Sequence, residues 1–228
     1  MNMKKVTSII LSMLMLVVFV AGFCVSAFAK SNKYVGTIPG FVKTGFTAAG
    51  ADTKLYQKDH KYCIAVNTSQ NIVIVYKADK TGKFTKPVKA MVCSCGEIPG
   101  STLPGTWATY GKHRWRDLVG DVHGQYATRI VGSVLFHSVP YFEEDPSTLE
   151  TDEYNKLGSN ASAGCVRLAV KDAKWIYDKC ALGTIVTIYP GKNVKEPLKK
   201  PKPIRIPSKS PYAGWDPTDP DIGNPWNQ

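Results

Sequence analysis

A cysteine and a histidine lie at positions that suit nucleophilic catalysis. Cys165 follows residues 162–164 (Ser-Ala-Gly) and precedes an apolar alternation that begins at Val166. His137 ends an apolar run that starts at Val134. A cysteine attacks a carbonyl carbon as the thiolate, so it needs a base within hydrogen-bonding reach and a third group that orients the base. The two residues therefore form a candidate nucleophile–base pair.

The neighbours of this pair could supply the remaining parts of a catalytic site. Ser138 could orient His137 through its carbonyl or its hydroxyl group. The backbone N–H groups of Ala163, Gly164 and Cys165 could form an oxyanion hole, in which one donor contributes about 10²–10³ in rate. The spacing also leaves open the alternative that Cys165 is a small buried hydrophobe and His137 a satisfied core histidine.

Other chemistries fit the same residues less well. A zinc site made of His113, His123, His137 and Cys165 is disfavoured, because the sequence contains no C-x-x-C, H-x-x-H or H-E-x-x-H spacing. We therefore predict no metal and no cofactor. A papain-like peptidase usually places its cysteine before its histidine, whereas the histidine comes first in this chain.

The N-terminus has the pattern of a secretory signal peptide. Lys4 and Lys5 precede an apolar run, and residues 27–29 (Ala-Phe-Ala) form an A-x-A site ahead of Lys30. Cleavage is predicted after residue 29, and an uncleaved membrane anchor is the alternative, because the apolar run could just span a bilayer. The expected location is therefore outside the cytoplasm, secreted or in a cell wall.

The chain is basic, and its cysteines are odd in number after the signal peptide. The net charge is +11, of which the two lysines of residues 1–29 contribute +2. Such a charge favours polyanionic surroundings, such as nucleic acid, anionic lipid or an anionic cell wall, and identifies none of them. Six cysteines less Cys24 leave five, so at least one thiol is free or forms an intermolecular bond. A bond from Cys63 to Cys93 or Cys95 is possible, but buried free thiols are preferred.

Apolar runs separated by turns predict many short strands. A strand ending at His137 and one helix with apolar positions from Val170 to Cys180 are the elements closest to the candidate pair. Residues 113–124 show no period and are expected to be irregular. The predicted strand that ends at His137 covers residues 127–136. The other predicted strands are a hairpin over 62–76, a third strand over 88–93, a short strand over 107–110 and a last strand over 184–189.

The predicted fold class is mainly β (β-rich α+β), a β-sandwich or barrel with one capping helix. Residues 30–58 are interpreted as a linker or lead-in, residues 59–191 as one catalytic domain, and residues 192–228 as a proline-rich tail. Eight of the 15 prolines lie between Pro197 and Pro225. This composition predicts a mobile tail that buries no core, whose tryptophans could be docking anchors or could lie back on the domain.

Residues 143–153 form an acidic insertion in this basic protein. They contain six of the 18 acidic residues of the chain. A short helix is expected from Thr148 to Leu157, closed by Gly158. The segment could be a solvated surface loop, or it could be a lid or a recognition element for a basic group of the substrate.

The order of these motifs resembles the L,D-transpeptidase (YkuD-type) catalytic domain family. The family signature runs histidine, a spacer, then Ser/Thr-His-Gly-Cys, an aliphatic residue and Arg or Asn. His137 and residues 162–167 (Ser-Ala-Gly-Cys-Val-Arg) are similar to it. Gln70 at the turn of the first hairpin, residues 103–107 (Leu-Pro-Gly-Thr-Trp) and residues 183–186 (Gly-Thr-Ile-Val) resemble other family segments. The resemblance covers about residues 60–190.

The resemblance implies an enzyme that acts on peptidoglycan stem peptides, with no nucleic-acid partner and membrane contact only through an uncleaved N-terminus. Cys165 would attack the diaminopimelate carbonyl of a donor tetrapeptide, release D-Ala and form a thioester. His137 would take the thiol proton and later activate an acceptor amine, which gives a 3→3 cross-link. Ser138 would orient His137 through its main-chain carbonyl. Arg167 would organise the site or bind a substrate carboxylate, and Ser162 would contact the substrate.

Two features depart from the family pattern. The family's second histidine, directly before Gly-Cys, is Ala163 here, and the spacer from His137 to Ser162 is longer than in many members because it includes the acidic insertion. An L,D-carboxypeptidase, in which water resolves the thioester, and a wall-protein linking enzyme are alternatives of the same fold. A non-catalytic wall-binding module that uses the lysines and tryptophans of the tail is a third alternative.

Overall fold

A computed structural model describes residues 60–80 and 84–228 of the chain. The predicted signal peptide (1–29) and lead-in (30–58) lie outside these residues. No helix among the described residues is both long and apolar enough to cross a membrane. The elements of this part of the chain are β1 (Tyr62–Asn67), β2 (Ile72–Ala78), β3 (Phe84–Ser94), β4 (Gly105–Ala108), β5 (Gly111–Leu118), β6 (Val122–Val131), β7 (Val134–Ser138), α1 (Thr151–Tyr154), β8 (Val166–Leu168), α2 (Val170–Lys179), β9 (Ile185–Tyr189) and a 3₁₀ helix (Pro225–Asn227).

The strands form a nine-stranded sheet in the order β4-β9-β1-β2-β3-β8-β7-β6-β5. Two neighbouring pairs are parallel, β1 with β9 and β7 with β8, and the others are antiparallel. The long strand β3 joins the two halves of the sheet, because most of it pairs with β2 while Cys93 and Ser94 pair with β8. The predicted mainly β fold is confirmed.

Strands β1 and β2 are buried on both faces, which explains their uninterrupted apolar sequence. Successive side chains of a strand point to opposite faces. Ile64 and Val66 of β1 therefore enter the larger core cluster, whereas Cys63 and Ala65 enter a smaller one on the other side. The five described cysteines are all free thiols, and four of them are buried. The preferred interpretation of Cys63, Cys93 and Cys95 as buried hydrophobes therefore agrees with the structure.

Helix α2 packs on β6 and β7 beside the candidate pair. Val170, Ala173 and Ile176 are fully buried, as their helical spacing predicts. The residue before the helix is Ala169, whose side chain cannot cap the free N–H groups of the first turn. The C-terminal tail supplies these caps instead, as described below.

The prediction that residues 113–124 are irregular is wrong. They lie mostly in the antiparallel hairpin of β5 and β6, whose turn contains Gly120 (φ +99°) and Asp121 (φ +57°). Strand β5 is only partly buried along its whole length, so charged residues occupy both phases of its alternation and hide the period.

The predicted single strand over residues 127–136 is two strands. Gly132, with φ +53°, turns the chain between β6 and β7. Glycine adopts this left-handed backbone conformation without the steric cost that a Cβ adds. Because β6 and β7 are both mainly buried, the sequence is apolar on both sides of the turn and resembles one strand.

The structure contradicts the prediction that the tail buries no core. Ile206 is buried in the main core cluster. The side chain of Asn155 makes two hydrogen bonds to the backbone of Ile206, at 2.8 and 2.9 Å. Asp219 Oδ2 accepts a hydrogen bond from Gln125 Nε2 at 2.9 Å. The tail is therefore held by buried polar contacts, which a composition dominated by proline does not reveal.

Asp216 connects the tail to α2 and should make folding stability depend on pH. Its Oδ2 accepts a hydrogen bond from the Val170 N–H at 2.8 Å, and Thr218 Oγ1 accepts one from Lys171 N–H at 3.2 Å. Burial raises the pKa of Asp216 to about 6, although the donated hydrogen bonds act in the opposite direction. The folded state therefore holds this proton more tightly than the unfolded state, so stability from this group is full below about pH 4 and is lost as pH rises through about 6.

Asp216→Asn tests this dependence, because asparagine cannot ionise. The rise of the Asp216 pKa from its ordinary value to about 6 corresponds to about 3 kcal/mol. We expect the variant to be less stable than the native chain at low pH, since asparagine has fewer hydrogen-bond acceptors. The difference between their free energies of unfolding should shrink by up to this amount between about pH 4 and about pH 7, because only the native chain loses stability as Asp216 ionises. Urea unfolding measures the gap, with Asp221→Asn as the matched loss of charge. A gap that is constant over this pH range would contradict the prediction.

Candidate active site

Cys165 lies at the end of a loop that is tied to the end of β3. Cys95 O accepts hydrogen bonds from the N–H groups of Ala161 (2.9 Å) and Ser162 (3.1 Å), and Cys93 O accepts one from Gly158 (3.1 Å). These contacts fix the loop directly before β8 begins. The cysteine therefore sits at the junction of a loop and a strand, as its sequence context suggested.

Glycine is required next to the cysteine. Gly164 has φ +157°, and a Cβ built on it would lie 2.8 Å from the carbonyl oxygen of Ser101. Real Cβ atoms are not found this close to a backbone oxygen, so a larger residue would displace the loop from the segment that carries Ser101. The small residue before Cys165 thus allows two loops to pack in direct contact.

Strand pairing brings His137 and Cys165 to the same pocket. The parallel register of β7 and β8 places His137 opposite Arg167, two residues after Cys165. All three residues line a cavity of about 150 Å³. The β5–β6 hairpin forms the opposite wall, which includes Arg116, Asp117, Leu118, Val119, Val122 and Arg129.

The imidazole of His137 is held by the backbone of its own strand. Nδ1 lies 2.5 Å from the carbonyl oxygen of Ser138, so Nδ1 carries the hydrogen and donates it, and Nε2 keeps its lone pair. The Ser138 hydroxyl is engaged elsewhere, accepting from the Gln125 N–H and donating to Val139 O, each at 2.8 Å. Ser138 was predicted to orient His137 through its carbonyl or its hydroxyl group, and in the structure the contact is made by the carbonyl.

Gly124 leaves room for the imidazole of His137. A Cβ built on it would lie 2.9 Å from His137 Nδ1 and 3.2 Å from His137 Cβ. The absence of a side chain at this position of β6 therefore leaves room for the histidine to reach its carbonyl partner.

The two candidate catalytic groups are both neutral in this state. Burial, and then the positive charge of Arg167, lower the pKa of His137 to about 3 despite the Ser138 carbonyl. Burial raises the pKa of the Cys165 thiol, while a Leu135 hydrogen bond and the charges of Arg167 and Arg129 oppose the rise. The thiol donates a hydrogen bond to Ser133 O at 3.5 Å. The resting pocket thus holds a neutral thiol and a neutral imidazole, not an ion pair.

Alkylation of Cys165 should therefore accelerate with pH. Only the thiolate reacts with iodoacetamide, so the rate is expected to keep rising beyond about pH 9, with no inflection between about pH 5 and 7 from histidine titration. Mass spectrometry of the peptide that contains Cys165 measures the rate, and the buried Cys180 in the same samples is the internal control. A rate that levels off below neutral pH would instead indicate a resting thiolate–imidazolium pair.

Ser162 is used by the loop itself. Its hydroxyl is buried, donates to Cys165 O at 2.6 Å and accepts from the Gly164 N–H at 3.1 Å. The Ser162 hydroxyl, predicted to contact the substrate, and the Gly164 N–H, predicted to be an oxyanion donor, are thus hydrogen-bonded to each other in this state. The N–H groups of Ala163 and Cys165 stay as predicted oxyanion donors, and Ala163 lines the pocket.

Arg167 is positioned by the acidic insertion. Its Nη1 pairs with Glu153 Oε2, and Glu153 Oε1 also accepts from Lys156 Nζ at 2.5 Å. The acidic side chains that come first, Glu143 and Glu144, are exposed. The insertion is therefore a solvated loop at its start and a support for a pocket residue at its end. The expected short helix is the four-residue α1, which carries Glu153.

Several pocket residues had no sequence signal. Arg116 and Arg129 lie far from Cys165 in the chain and reach the pocket only because β5 and β6 extend the sheet beside β7. The sequence singled out Glu153 as part of the acidic insertion, but it did not indicate that Glu153 pairs with Arg167. The zinc alternative with His113, His123, His137 and Cys165 is not formed: within residues 60–80 and 84–228, the potential metal ligands that come together are Asp117, His123 and Glu144.

Comparison with known proteins gives consistent matches to one family. The sequence model of the L,D-transpeptidase catalytic domain (YkuD) matches residues 61–188. YciB of Bacillus subtilis (strain 168), whose name assigns it to the L,D-transpeptidases, is 47% identical over 57 residues, which are 25% of this chain and 28% of YciB.

Solved structures show more distant similarity. An L,D-transpeptidase from Mycobacterium smegmatis is 19% identical with a TM-score of 0.45, over 57% of this chain and 58% of the other. A fused Zn-dependent amidase/peptidase/peptidoglycan-binding domain-containing protein from Clostridium acetobutylicum ATCC 824 is 28% identical with a TM-score of 0.43, over 60% and 57%. The chain thus spans less than two thirds of each of these relatives.

The family assignment rests on the sequence model, because its match extends over more than half of the chain. The matched residues include the strands β1 to β8, helix α2, and the pocket that contains His137 and Cys165. The chain belongs to the L,D-transpeptidase (YkuD) catalytic-domain family.

Proposed function

We propose that the protein is an extracytoplasmic L,D-transpeptidase that forms 3→3 cross-links between peptidoglycan stem peptides through a Cys165 thioester. The observation that carries the proposal is the shared pocket of His137 and Cys165, together with the Ser138 carbonyl contact that leaves His137 Nε2 as an acceptor. An imidazole in this tautomer can take the thiol proton. The predicted signal peptide and the net charge of +11 support action at an anionic wall.

The first half-reaction transfers the donor peptide to the enzyme. His137 Nε2 accepts the Cys165 proton as the sulfur attacks the diaminopimelate carbonyl carbon of the tetrapeptide. The N–H groups of Ala163 and Cys165 would stabilise the oxyanion. The carbon–nitrogen bond to D-Ala then breaks, and the leaving amine takes the proton from the imidazolium. A thioester and free D-Ala result.

The second half-reaction transfers the peptide to an acceptor. A side-chain amine of a second stem loses a proton to His137 and attacks the thioester carbonyl, and the sulfur leaves and regains its proton. The exchange of one amide bond for another needs no cofactor. Arg167 would hold a substrate carboxylate, because its guanidinium lines the pocket and only one of its nitrogens is paired with Glu153.

The test is incubation of the protein with a diaminopimelate-containing disaccharide-tetrapeptide, followed by mass spectrometry. A dimer that has lost one D-Ala is the expected product. A monomer that has lost D-Ala would show that water resolves the thioester and would make the protein an L,D-carboxypeptidase. Unchanged substrate with no adduct on Cys165 would contradict the proposal. A disaccharide-tripeptide is the control donor, since it has no D-Ala to release.

A further inference from the structure

A second group of chemically competent side chains lies at the rim of the pocket. Asp117, His123 and Glu144 each offer one ligand atom, and these atoms all lie within 4.8 Å of one another. Asp117 Oδ1 is 3.3 Å from His123 Nδ1. The three residues have no part in the chemistry proposed above, so the group needs an explanation of its own.

Backbone pairing brings the three residues together. Asp117 and His123 are direct partners in the β5–β6 hairpin, so their side chains share one face. His123 and Tyr141 exchange two backbone hydrogen bonds of 2.8 Å each, which attach the start of the acidic insertion to β6. Three residues further on, Glu144 reaches the same place. The turn there is braced by hydrogen bonds from Phe142 N–H to Thr148 O (2.9 Å) and from Glu143 N–H to Thr148 Oγ1 (3.1 Å).

The two carboxylates of the group have no lysine or arginine partner among the described residues. In residues 60–80 and 84–228, no lysine or arginine forms an ion pair with Asp117 or Glu144, although the chain has 29 basic residues. His123 Nδ1 is shielded from solvent and lies 3.3 Å from Asp117 Oδ1, but in the same part of the chain it makes no hydrogen bond. A shielded ring nitrogen without a hydrogen bond costs free energy, and a positive ion between the three side chains would satisfy it and both carboxylates at once.

We infer that Asp117, His123 and Glu144 bind a divalent cation, with Zn²⁺ as the best fit. Zn²⁺ takes imidazole nitrogen at about 2.0–2.1 Å and carboxylate oxygen at about 2.0–2.2 Å, usually in tetrahedral geometry. Mg²⁺ and Ca²⁺ prefer ligand sets made only of oxygen. Ligands in such a tetrahedron are about 3.3 Å apart. The Asp117 and Glu144 side chains are exposed and can close that distance by rotation, and water fills the remaining position.

The bound ion links the acidic insertion to the catalytic pocket. Asp117 lines the pocket that contains Cys165, whereas Glu144 belongs to the insertion. An ion between them fixes the pocket rim and gives the first, solvated part of the insertion a function. This inference goes beyond the proposed transpeptidase activity and does not depend on it.

Isothermal titration with zinc chloride tests the inference on the full chain. Because a thiol also binds Zn²⁺, the titration uses Cys165→Ala as its reference background. We expect one Zn²⁺ per chain in this background and at least tenfold weaker binding after Glu144→Gln or Asp117→Asn. Glu143→Gln is the matched control, since it removes the same charge one residue away and should leave the affinity unchanged. Mg²⁺ is expected to bind more weakly than Zn²⁺.

Three outcomes would overturn the site. They are no binding in the reference background, binding that Glu144→Gln and Asp117→Asn leave unchanged, and an equal loss in Glu143→Gln, which would show only general attraction to acidic charge. Circular dichroism of each variant separates a lost ligand from a lost fold. Because Glu144 is exposed and makes no hydrogen bond or ion pair in the described structure, its replacement leaves the fold intact.

Discussion

Cys165→Ala is expected to lower the rate of peptide transfer by about four orders of magnitude or more, to the level of the uncatalysed background. The reason is that the proposed thioester forms on this sulfur and alanine offers no atom to carry the acyl group. The fold should survive, because the thiol is only half-buried and its hydrogen bond to Ser133 O is long, at 3.5 Å. The free energy of unfolding should change by about 1 kcal/mol or less.

The measurement is the rate of D-Ala release from a disaccharide-tetrapeptide, with unfolding followed in parallel. Cys180→Ala is the matched control, since it removes a thiol from the buried end of α2, away from the pocket. It should cost some stability and leave the rate unchanged. Full activity of Cys165→Ala would eliminate the proposed nucleophile, and equal loss in Cys180→Ala would point to a general effect of thiol removal on the fold.

The parts of the site that the sequence predicts are those fixed by local geometry. His137 is the second-last residue of a buried strand and Cys165 directly precedes another, and two strands that become neighbours bring these residues together. The Ser138 carbonyl contact is local as well, because it joins adjacent residues. The helix after the site was predictable from Val170, Ala173 and Ile176, whose spacing repeats every three to four residues.

Long-range contacts could not be predicted in the same way. The ion pair of Arg167 with Glu153 joins residues on two separate elements, and nothing in either local pattern specifies the partner. Strand β5 and the start of β6 were missed because these residues are only partly buried and mix polar and apolar side chains. Gly132 was missed because burial on both sides of its turn makes two strands look like one.

The tail shows a different limit of sequence reasoning. Its few apolar residues predict little burial, yet Asp216, Asp219 and Asn224 are almost fully buried. Each one satisfies backbone or side-chain groups of the domain or of the tail itself. Polar residues that cap a helix from a distant part of the chain leave no periodic pattern, so composition alone suggests a free segment.

The electrostatics of the pair were also beyond the sequence. A neighbouring imidazole often lowers a thiol pKa. Burial dominates instead, because it raises the pKa of the thiol and lowers that of the imidazole. The consequence is mechanistic: little thiolate exists near neutral pH, so the proton must be removed during the attack. This makes the general base decisive.

His137→Gln is therefore expected to reduce the rate of acyl transfer near neutral pH by about 10²–10⁴-fold. Glutamine fills similar space, but its amide has no basic nitrogen. The loss should become smaller as pH rises, because hydroxide then generates the thiolate that the variant cannot make by itself. The native chain should keep its activity down to well below about pH 5, because the pKa of His137 is lowered to about 3.

The pH dependence distinguishes a lost base from a lost support. If His137 only packed against Gly124 and held the pocket open, the reduction in rate would be the same at every pH. D-Ala release measured between about pH 6 and pH 10 decides between the two, since the thiolate fraction changes about tenfold per unit below the thiol pKa. His113→Gln is the matched control on β5, outside the pocket lining, and should retain the native rate throughout. A pH-independent loss of rate in His137→Gln would contradict the assignment of His137 as the base. The base for Cys165 would then have to be another group that lines the pocket.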